Sequence, residues 1–369
     1  MIIFWGALAA VLSFAFSWCI RNWSLKRKIG LNPPRERDIH TKPTPRLGGL
    51  AIVGAFLAVS IVLVALYEDK GPVDFGFPYK ILGISIDKRF LGILLATILL
   101  SIVMLIDDIR EVKPSYKLLA QIGAAMLLVL TGVGLVYLNN PFGNTIYLDS
   151  IKLPIQIGAN TFNFVVWADI ILVLWVILLT NATNFIDGID GLATALGLVA
   201  FIILGALSLK VGQTATATLS AILSGTLLGF LPFNIPPAKM FLGDVGSMFI
   251  GLMLATVSVI SGGKLATLLM VFALVILDAI YVVIKRILRG QNPFTTPDQT
   301  HLHHRFLKAG LSPLTILIIN VLISIAFGLC GLLLTGRTKI IMIVVLAFIS
   351  LAIFIATDLF IKKRQAKPK

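Results

Sequence analysis

Runs of about twenty mostly apolar residues recur from one end of the chain to the other, separated by short polar segments. A run of that length crosses the hydrocarbon layer of a bilayer as an α-helix. The pattern predicts about eleven such helices, at 2–20, 47–66, 90–106, 118–138, 166–180, 192–210, 213–231, 245–261, 265–284, 312–334 and 339–361. Backbone amides in lipid must be satisfied within the segment, which requires helix, and the short alternating segments of a membrane barrel are missing. The expected fold class is therefore an all-α polytopic membrane protein. No soluble module, linker or internal repeat interrupts residues 1–369, so one domain is expected.

Span 2–20 is expected to stay in the mature chain, because its positive charges follow the apolar stretch rather than precede it. That order places the N-terminus outside and Arg21 in the cytoplasm. Alternation then makes 21–46, 107–117, 181–191, 232–244, 285–311 and 362–369 cytoplasmic, including the C-terminus. These segments hold 22 of the 31 Lys and Arg residues, the asymmetry that orientation by positive charge requires.

Composition agrees: 58% of the 369 residues are hydrophobic and 13% charged, about half the charge of a soluble domain. The net charge of +14 is read as topology plus attraction to anionic membrane lipids. No basic face interleaved with aromatics points to nucleic acid. Cys19 and Cys330 both fall inside apolar spans, so no disulfide framework is expected.

The informative polar residues gather in cytoplasmic segments. Asp107 and Asp108 close the third span in MLIDDIREVKPSYK. They read either as a solvated helix end paired with Arg110 and Lys113, or as metal or phosphate chemistry. In NATNFIDGIDG, Asn181, Asn184, Asp187 and Asp190 recur every third residue, a polar stripe if helical. Hard oxygen ligands of this kind suit Mg²⁺. A polar helix start with one capping residue would explain only one of the four. KMFLGDVGSMF sets Asp244 between glycines at the start of a span, as a functional carboxylate or as that helix's cap, with Phe241 beside it. THLHHRFLK carries His301, His303 and His304 with Arg305 and Lys308. Zinc is disfavoured there, since no thiolate can assist, and donors to an anionic phosphate fit better. PRERDIHTKPTPRLGG offers Lys42 and Arg46, as lipid-phosphate ligands or as plain positive-inside residues. There is no GxxxxGK[ST] phosphate loop, HExxH or GxSxG.

In the order HTKPTPRLGG, DD, NATNFIDGIDGLA, FLGDVGS and HLHH, from about residue 30 to 310, the sequence resembles the polyprenyl-phosphate N-acetylhexosamine-1-phosphate transferase superfamily. That superfamily includes phospho-N-acetylmuramoyl-pentapeptide translocase and the GlcNAc-1-phosphate transferases. PDQTHLHHRF resembles the GlcNAc-1-phosphate branch, so UDP-GlcNAc is the expected donor, with another UDP-N-acetylhexosamine as the alternative. The resemblance implies transfer of a sugar 1-phosphate from UDP-GlcNAc to polyprenyl phosphate, with UMP released, at a cytoplasmic site of the plasma membrane. It implies Mg²⁺, replaceable by Mn²⁺, held by Asp244 and Asn184. Asp107, Asp108 and Asp187 are its catalytic candidates, the first two at the lipid phosphate. Lys117, His301, His303, His304 and Arg305 would bind phosphate or sugar, and Gly188, Asp190 and Phe241 the uridine. A homodimer is left open.

The mechanism expected is direct displacement by a lipid phosphate oxygen. A phosphate monoester is mostly dianionic at neutral pH, so a base is optional, and a covalent aspartyl route stays open. The competing class is a transporter of anionic lipid-linked or nucleotide substrates. Such proteins bind at the bilayer midplane between inverted repeats, whereas here the polar groups sit at one face and no halves match.

Overall fold

The computed structural model describes residues 1–32, 43–67, 71–81, 84–135, 137–138, 140, 143–157, 160–260, 264–288, 290 and 301–365. Thirteen helices follow one another among them. They are α1 (Ile2–Arg27), α2 (Gly48–Leu66), α3 (Lys88–Ile109), α4 (Pro114–Leu130), α5 (Val166–Ile186), α6 (Leu192–Lys210) and α7 (Thr214–Asn234). The series continues with α8 (Gly243–Val259), α9 (Leu265–Val271), α10 (Ala273–Leu288), α11 (Leu302–Lys308), α12 (Pro313–Leu333) and α13 (Gly336–Gln365). Eight are long and apolar enough to cross a membrane. α9 and α10, bent by 81° at their junction, add a ninth if they form one span. α4 and α8 are shorter apolar helices. The span expected at 118–138 ends early because Thr131 and Gly132, with φ at +86°, turn the chain after Leu130.

Among the described residues, four antiparallel strand pairs join helices: β1 (Leu31–Asn32) with β2 (Thr44–Pro45), β3 (Pro78–Ile81) with β4 (Ile84–Asp87), β5 (Tyr137–Leu138) with β6 (Ile146–Tyr147), and β7 (Lys152–Ile157) with β8 (Asn160–Val165). They are absent from the all-helical expectation. At two to six residues per strand, none is long enough to cross a bilayer, which takes about nine or more.

The bundle is organised around α8, which is buried at every residue from Gly243 to Val259. α2, α3, α5 and α6 pack around it, and Phe56 meets Phe249 with ring centroids 5.4 Å apart. Elsewhere small residues bring helices close, as membrane bundles commonly do. Ser13 Oγ on α1 donates to the Thr226 carbonyl on α7 at 2.6 Å, beside Gly225 and Gly229.

The first turns of α2 and α8 interlock. Gly48 N and Gly49 N donate to the carbonyls of Phe241 and Leu242 at 3.0 and 2.7 Å, and Phe241 N donates to the Pro45 carbonyl at 2.8 Å. The lead-in to α8 thus takes up amides that the start of α2 leaves unpaired, and Phe241 N ties it back to the lead-in of α2. The approach leaves no room for side chains: a Cβ at Gly49 would lie 2.1 Å from Gly246 N, and one at Gly243 would lie 2.4 Å from the Arg46 carbonyl.

Gly243 also has φ at +75°, as does Gly212 at +74°, but nothing lies within 4 Å of a Cβ at Gly212. Gly243→Ala therefore carries crowding as well as backbone strain, and overpacking costs about 1–3 kcal/mol. Thermal unfolding of the purified protein should show a clearly larger loss of Tm for Gly243→Ala than for Gly212→Ala. Equal losses would mean that the α2–α8 contact is not close.

Candidate active site

Asp244 stands in the first turn of α8, and it does not cap that helix. The cap comes from α3. Asp108 accepts from Asp244 N at 2.8 Å through Oδ1 and from Val245 N at 3.1 Å through Oδ2. An N-cap side chain normally satisfies these same second and third amides. The Asp108 carboxylate also meets Arg46 Nε at 3.2 Å. Arg46 turns its Nη2 to Asp244 Oδ1 at 2.5 Å.

The other Asp244 oxygen receives Lys117 Nζ at 2.7 Å, and the same ammonium reaches Asp107 Oδ2 at 2.5 Å. Asp107 Oδ1 accepts from Val112 N at 2.9 Å, in the turn between α3 and α4. The ionic partners of the acidic pair are thus Lys117 and Arg46, rather than the nearby Arg110 and Lys113. Asp244 is only 5% exposed, yet the Arg46 side chain keeps 41% of its surface, so the cluster opens outward on the Arg46 side.

α5 delivers the asparagines at its C-terminal end, where a helix start had been one expectation. Asn181 donates to Gln121 Oε1 on α4 at 3.0 Å. Asn184 Nδ2 donates to Asp244 Oδ1 at 3.3 Å and to Ser247 Oγ at 3.0 Å, leaving its carbonyl oxygen as the atom for a cation. The helix stops at Ile186, so the stripe breaks: Asp187 is its C-cap and Asp190 lies in the following turn. Burial pushes the Asp187 carboxyl well above the usual carboxylate range, the Asp244 charge adds to that, and Arg46 opposes it. Asp190 Oδ2 accepts from Ala238 N at 2.9 Å and so ties the α5–α6 turn to the α7–α8 loop. Gly188 is exposed in that turn and Phe241 is half-buried in the facing loop.

Asp107, Asp108, Asp187 and Asp244 are four carboxylates held with two cations, Arg46 and Lys117. Fully ionised, the group has two negative charges in excess, which a divalent cation would offset. Among the described residues, no three His, Cys, Asp or Glu side chains form a ready-made cage. Mg²⁺ needs none, since it binds through one or two carboxylates with water and substrate phosphates. The oxygens of Asp244, Asp187 and Asn184 fit that habit.

His301 joins from α11's N-terminal side. Its ring lies 5.2 Å from that of Phe185, the neighbour of Asn184, and its Nδ1 is 2.9 Å from Asp278 Oδ2 on α10. Asp278 also accepts from Leu302 N at 2.9 Å. This carboxylate, 3% exposed, went unnoticed in the sequence, although an acid inside the apolar run ALVILDAIYVV is a signal in itself. Arg305, expected among the phosphate donors, is buried against α13 instead. Its Nη2 donates to the Phe354 carbonyl at 3.2 Å and its guanidinium lies over the Tyr281 and Phe354 rings. The buried guanidinium thereby anchors α11 to α10 and α13. His304 is half-buried on α11; Lys42 and the His303 side chain lie outside the described residues.

The chain matches the family described as glycosyl transferase family 4 over residues 90–262, which spans Asp107, Asp108, Lys117, the α5–α6 turn and Asp244. A decaprenyl-phosphate N-acetylglucosaminephosphotransferase of Mycobacterium tuberculosis is 34% identical over 88% of this chain and 80% of its own length. The chain belongs to glycosyl transferase family 4. Another relative is a probable undecaprenyl-phosphate N-acetylglucosaminyl 1-phosphate transferase of Bacillus subtilis, 30% identical over 84% of this chain and 79% of its own. A phospho-N-acetylmuramoyl-pentapeptide-transferase of Staphylococcus aureus is 29% identical over 90% and 98% respectively.

Asp278 both orients His301 and caps α11, and loss of a cap costs about 1 kcal/mol. In Asp278→Ala, amide hydrogen exchange across 302–308 should speed up by roughly fivefold, with α8 unchanged. Unaltered exchange there would show that Asp278 does not hold the histidine segment.

Proposed function

We propose that this protein transfers N-acetylglucosamine 1-phosphate from UDP-GlcNAc to a polyprenyl phosphate, forming a polyprenyl-diphosphate sugar and UMP. The observation that carries this reading is the convergence of Asp107, Asp108, Asp244, Arg46 and Lys117 at one end of a membrane bundle. The relatives' names supply the polyprenyl-phosphate acceptor and the N-acetylglucosamine phosphate group. UDP as the carrier, Mg²⁺ dependence and a cytoplasmic site are our reading. The last is supported by the 22 of 31 basic residues that fall in the segments expected to be cytoplasmic, those that carry the acidic cluster among them.

Asp244, Asp187 and the Asn184 carbonyl would hold Mg²⁺, which supplies charge to offset that on the phosphates. Arg46, with much of its guanidinium side open, and Lys117 would present donors to the same phosphates. An oxygen of the lipid phosphate attacks the sugar-bearing phosphorus, and the bond to the UMP oxygen breaks. The attacking dianion needs no proton removed, so neither member of the acidic pair has to be a base. Asp108, with both oxygens engaged by α8 amides and Arg46, is a positioning residue for Asp244. Asp107 steers Lys117. Gly188, Asp190 and Phe241 line the two facing loops in which the uridine would lie, and His301 would face the sugar diphosphate beside Phe185.

Purified protein given UDP-GlcNAc, polyprenyl phosphate and Mg²⁺ should release UMP and form the diphosphate-linked lipid. EDTA should abolish both and Mg²⁺ or Mn²⁺ restore them, while Asp244→Ala should lower turnover by a factor of about a hundred or more. Full turnover in metal-free buffer would remove the metal assignment. Transport of intact UDP-GlcNAc into proteoliposomes without UMP release would remove the transferase reading. For sidedness, Gln299→Cys in a protein lacking Cys19 and Cys330 should resist an impermeant thiol reagent until cells are opened. Labelling in intact cells would reverse the proposed orientation.

A further inference from the structure

A second concentration of charge lies at the other end of the bundle. α6 and α8 start at the acidic cluster and run away from it, so Lys210 and Lys264 sit at the far end. A cavity of about 930 Å³ opens there, walled by apolar side chains such as Leu207, Leu269 and Ile343. On α5 its lining extends to Trp175, nine residues in and so ~14 Å along from that helix's start.

Among the described residues, three lysines line this cavity, Lys210, Lys264 and Lys339, and no acidic residue does. Their partners are all neutral oxygens. Lys210 Nζ donates to the Leu332 carbonyl at 3.1 Å, Lys339 Nζ to Thr267 Oγ1 at 2.6 Å, and Lys264 to the Gln213 side-chain carbonyl. Each ammonium has three donors, so each keeps capacity for an anion. Lys264 is 5% exposed, and burial pushes its ammonium down to about 8, the mark of a cation without a counter-charge. Basic residues are also scarce on this side of the protein. Of the nine Lys and Arg outside the cytoplasmic segments, three line this one cavity.

Cations at the rim and hydrocarbon walls below complement a phosphate that carries acyl chains. A small soluble anion would leave the apolar shaft unfilled. We propose that the cavity holds an anionic glycerophospholipid of the bilayer, its phosphate among Lys210, Lys264 and Lys339 and an acyl chain running down to Trp175. The site lies at the end opposite the acidic cluster and does not depend on the transferase reading.

The test is native mass spectrometry of the full chain, released from micelles containing equal phosphatidylglycerol and phosphatidylethanolamine with matched acyl chains. Wild-type protein should retain phosphatidylglycerol in preference. Each Lys→Gln change at the three positions should lower that preference by about fivefold, the attraction of one basic residue to an anionic surface. Should the variant at the buried Lys264 fail to fold, the Lys210→Gln/Lys339→Gln double variant at the rim carries the same expectation. Glycerol 1-phosphate should not displace the lipid, because it has no chains for the shaft. Equal retention of the two lipids by wild-type protein, an unchanged preference in the double variant, or displacement by glycerol 1-phosphate would each overturn the proposal.

Discussion

A helix that begins inside a membrane protein brings its first amides with it, and few waters are available to satisfy them. α8 meets that condition in a demanding form, since it is buried along its whole length. Its second and third amides donate to the carboxylate of Asp108, which arrives from the end of α3. A buried carboxylate is costly unless it is paired, and Arg46 supplies the pair from the segment leading into α2. The same Arg46 continues to Asp244, which α8 itself carries. One capping interaction therefore fixes where three helices meet and where Asp244 points.

Function follows from the charge imbalance that this architecture sustains. Arg46 and Lys117 offset only part of the negative charge of four carboxylates, and burial makes Asp187 reluctant to ionise. A bundle that tolerates such an excess is suited to a divalent cation and to phosphates bound through it. The interlocked glycines serve the same arrangement. Without Cβ atoms at Gly49 and Gly243, the segments carrying Arg46 and Asp244 come within hydrogen-bond reach.

Much of this was legible in the sequence because lipid imposes simple rules. Apolar run lengths located the helices, and polar residues among them stood out. Asp107, Asp108, Asn184, Asp187 and Asp244 could be singled out as one constellation for that reason. Their division of labour could not be read, because it turns on contacts such as Asp108–Asp244 and Arg46–Asp244, between residues 136 and 198 positions apart. Local sequence offered Asp244 as the cap of its own helix, whereas Asp108, 136 positions away, performs it. The NATNFIDGID stripe looked continuous by its spacing, yet the helix ends at Ile186 and divides it. Arg305 looked like a phosphate donor beside three histidines, and its burial under α13 is a tertiary fact. Three of the strand pairs have strands of two to four residues, too short to leave a pattern, and the six-residue β7 and β8 lie in a stretch between apolar runs that the span reading leaves as a connection.

The central claim is that Asp108 acts through Asp244, by holding the start of α8, rather than on the reacting phosphates. The most direct measurement is a double-mutant cycle on the rate of UMP release, using Asp108→Asn, Asp244→Asn and the pair together. Residues that act as a unit give strongly non-additive losses. The account predicts that Asp108→Asn slows the wild-type enzyme markedly and slows the Asp244→Asn enzyme hardly at all. If Asp108→Asn costs the same factor in both backgrounds, Asp108 contributes to the reaction independently, and the positioning role assigned to it is wrong.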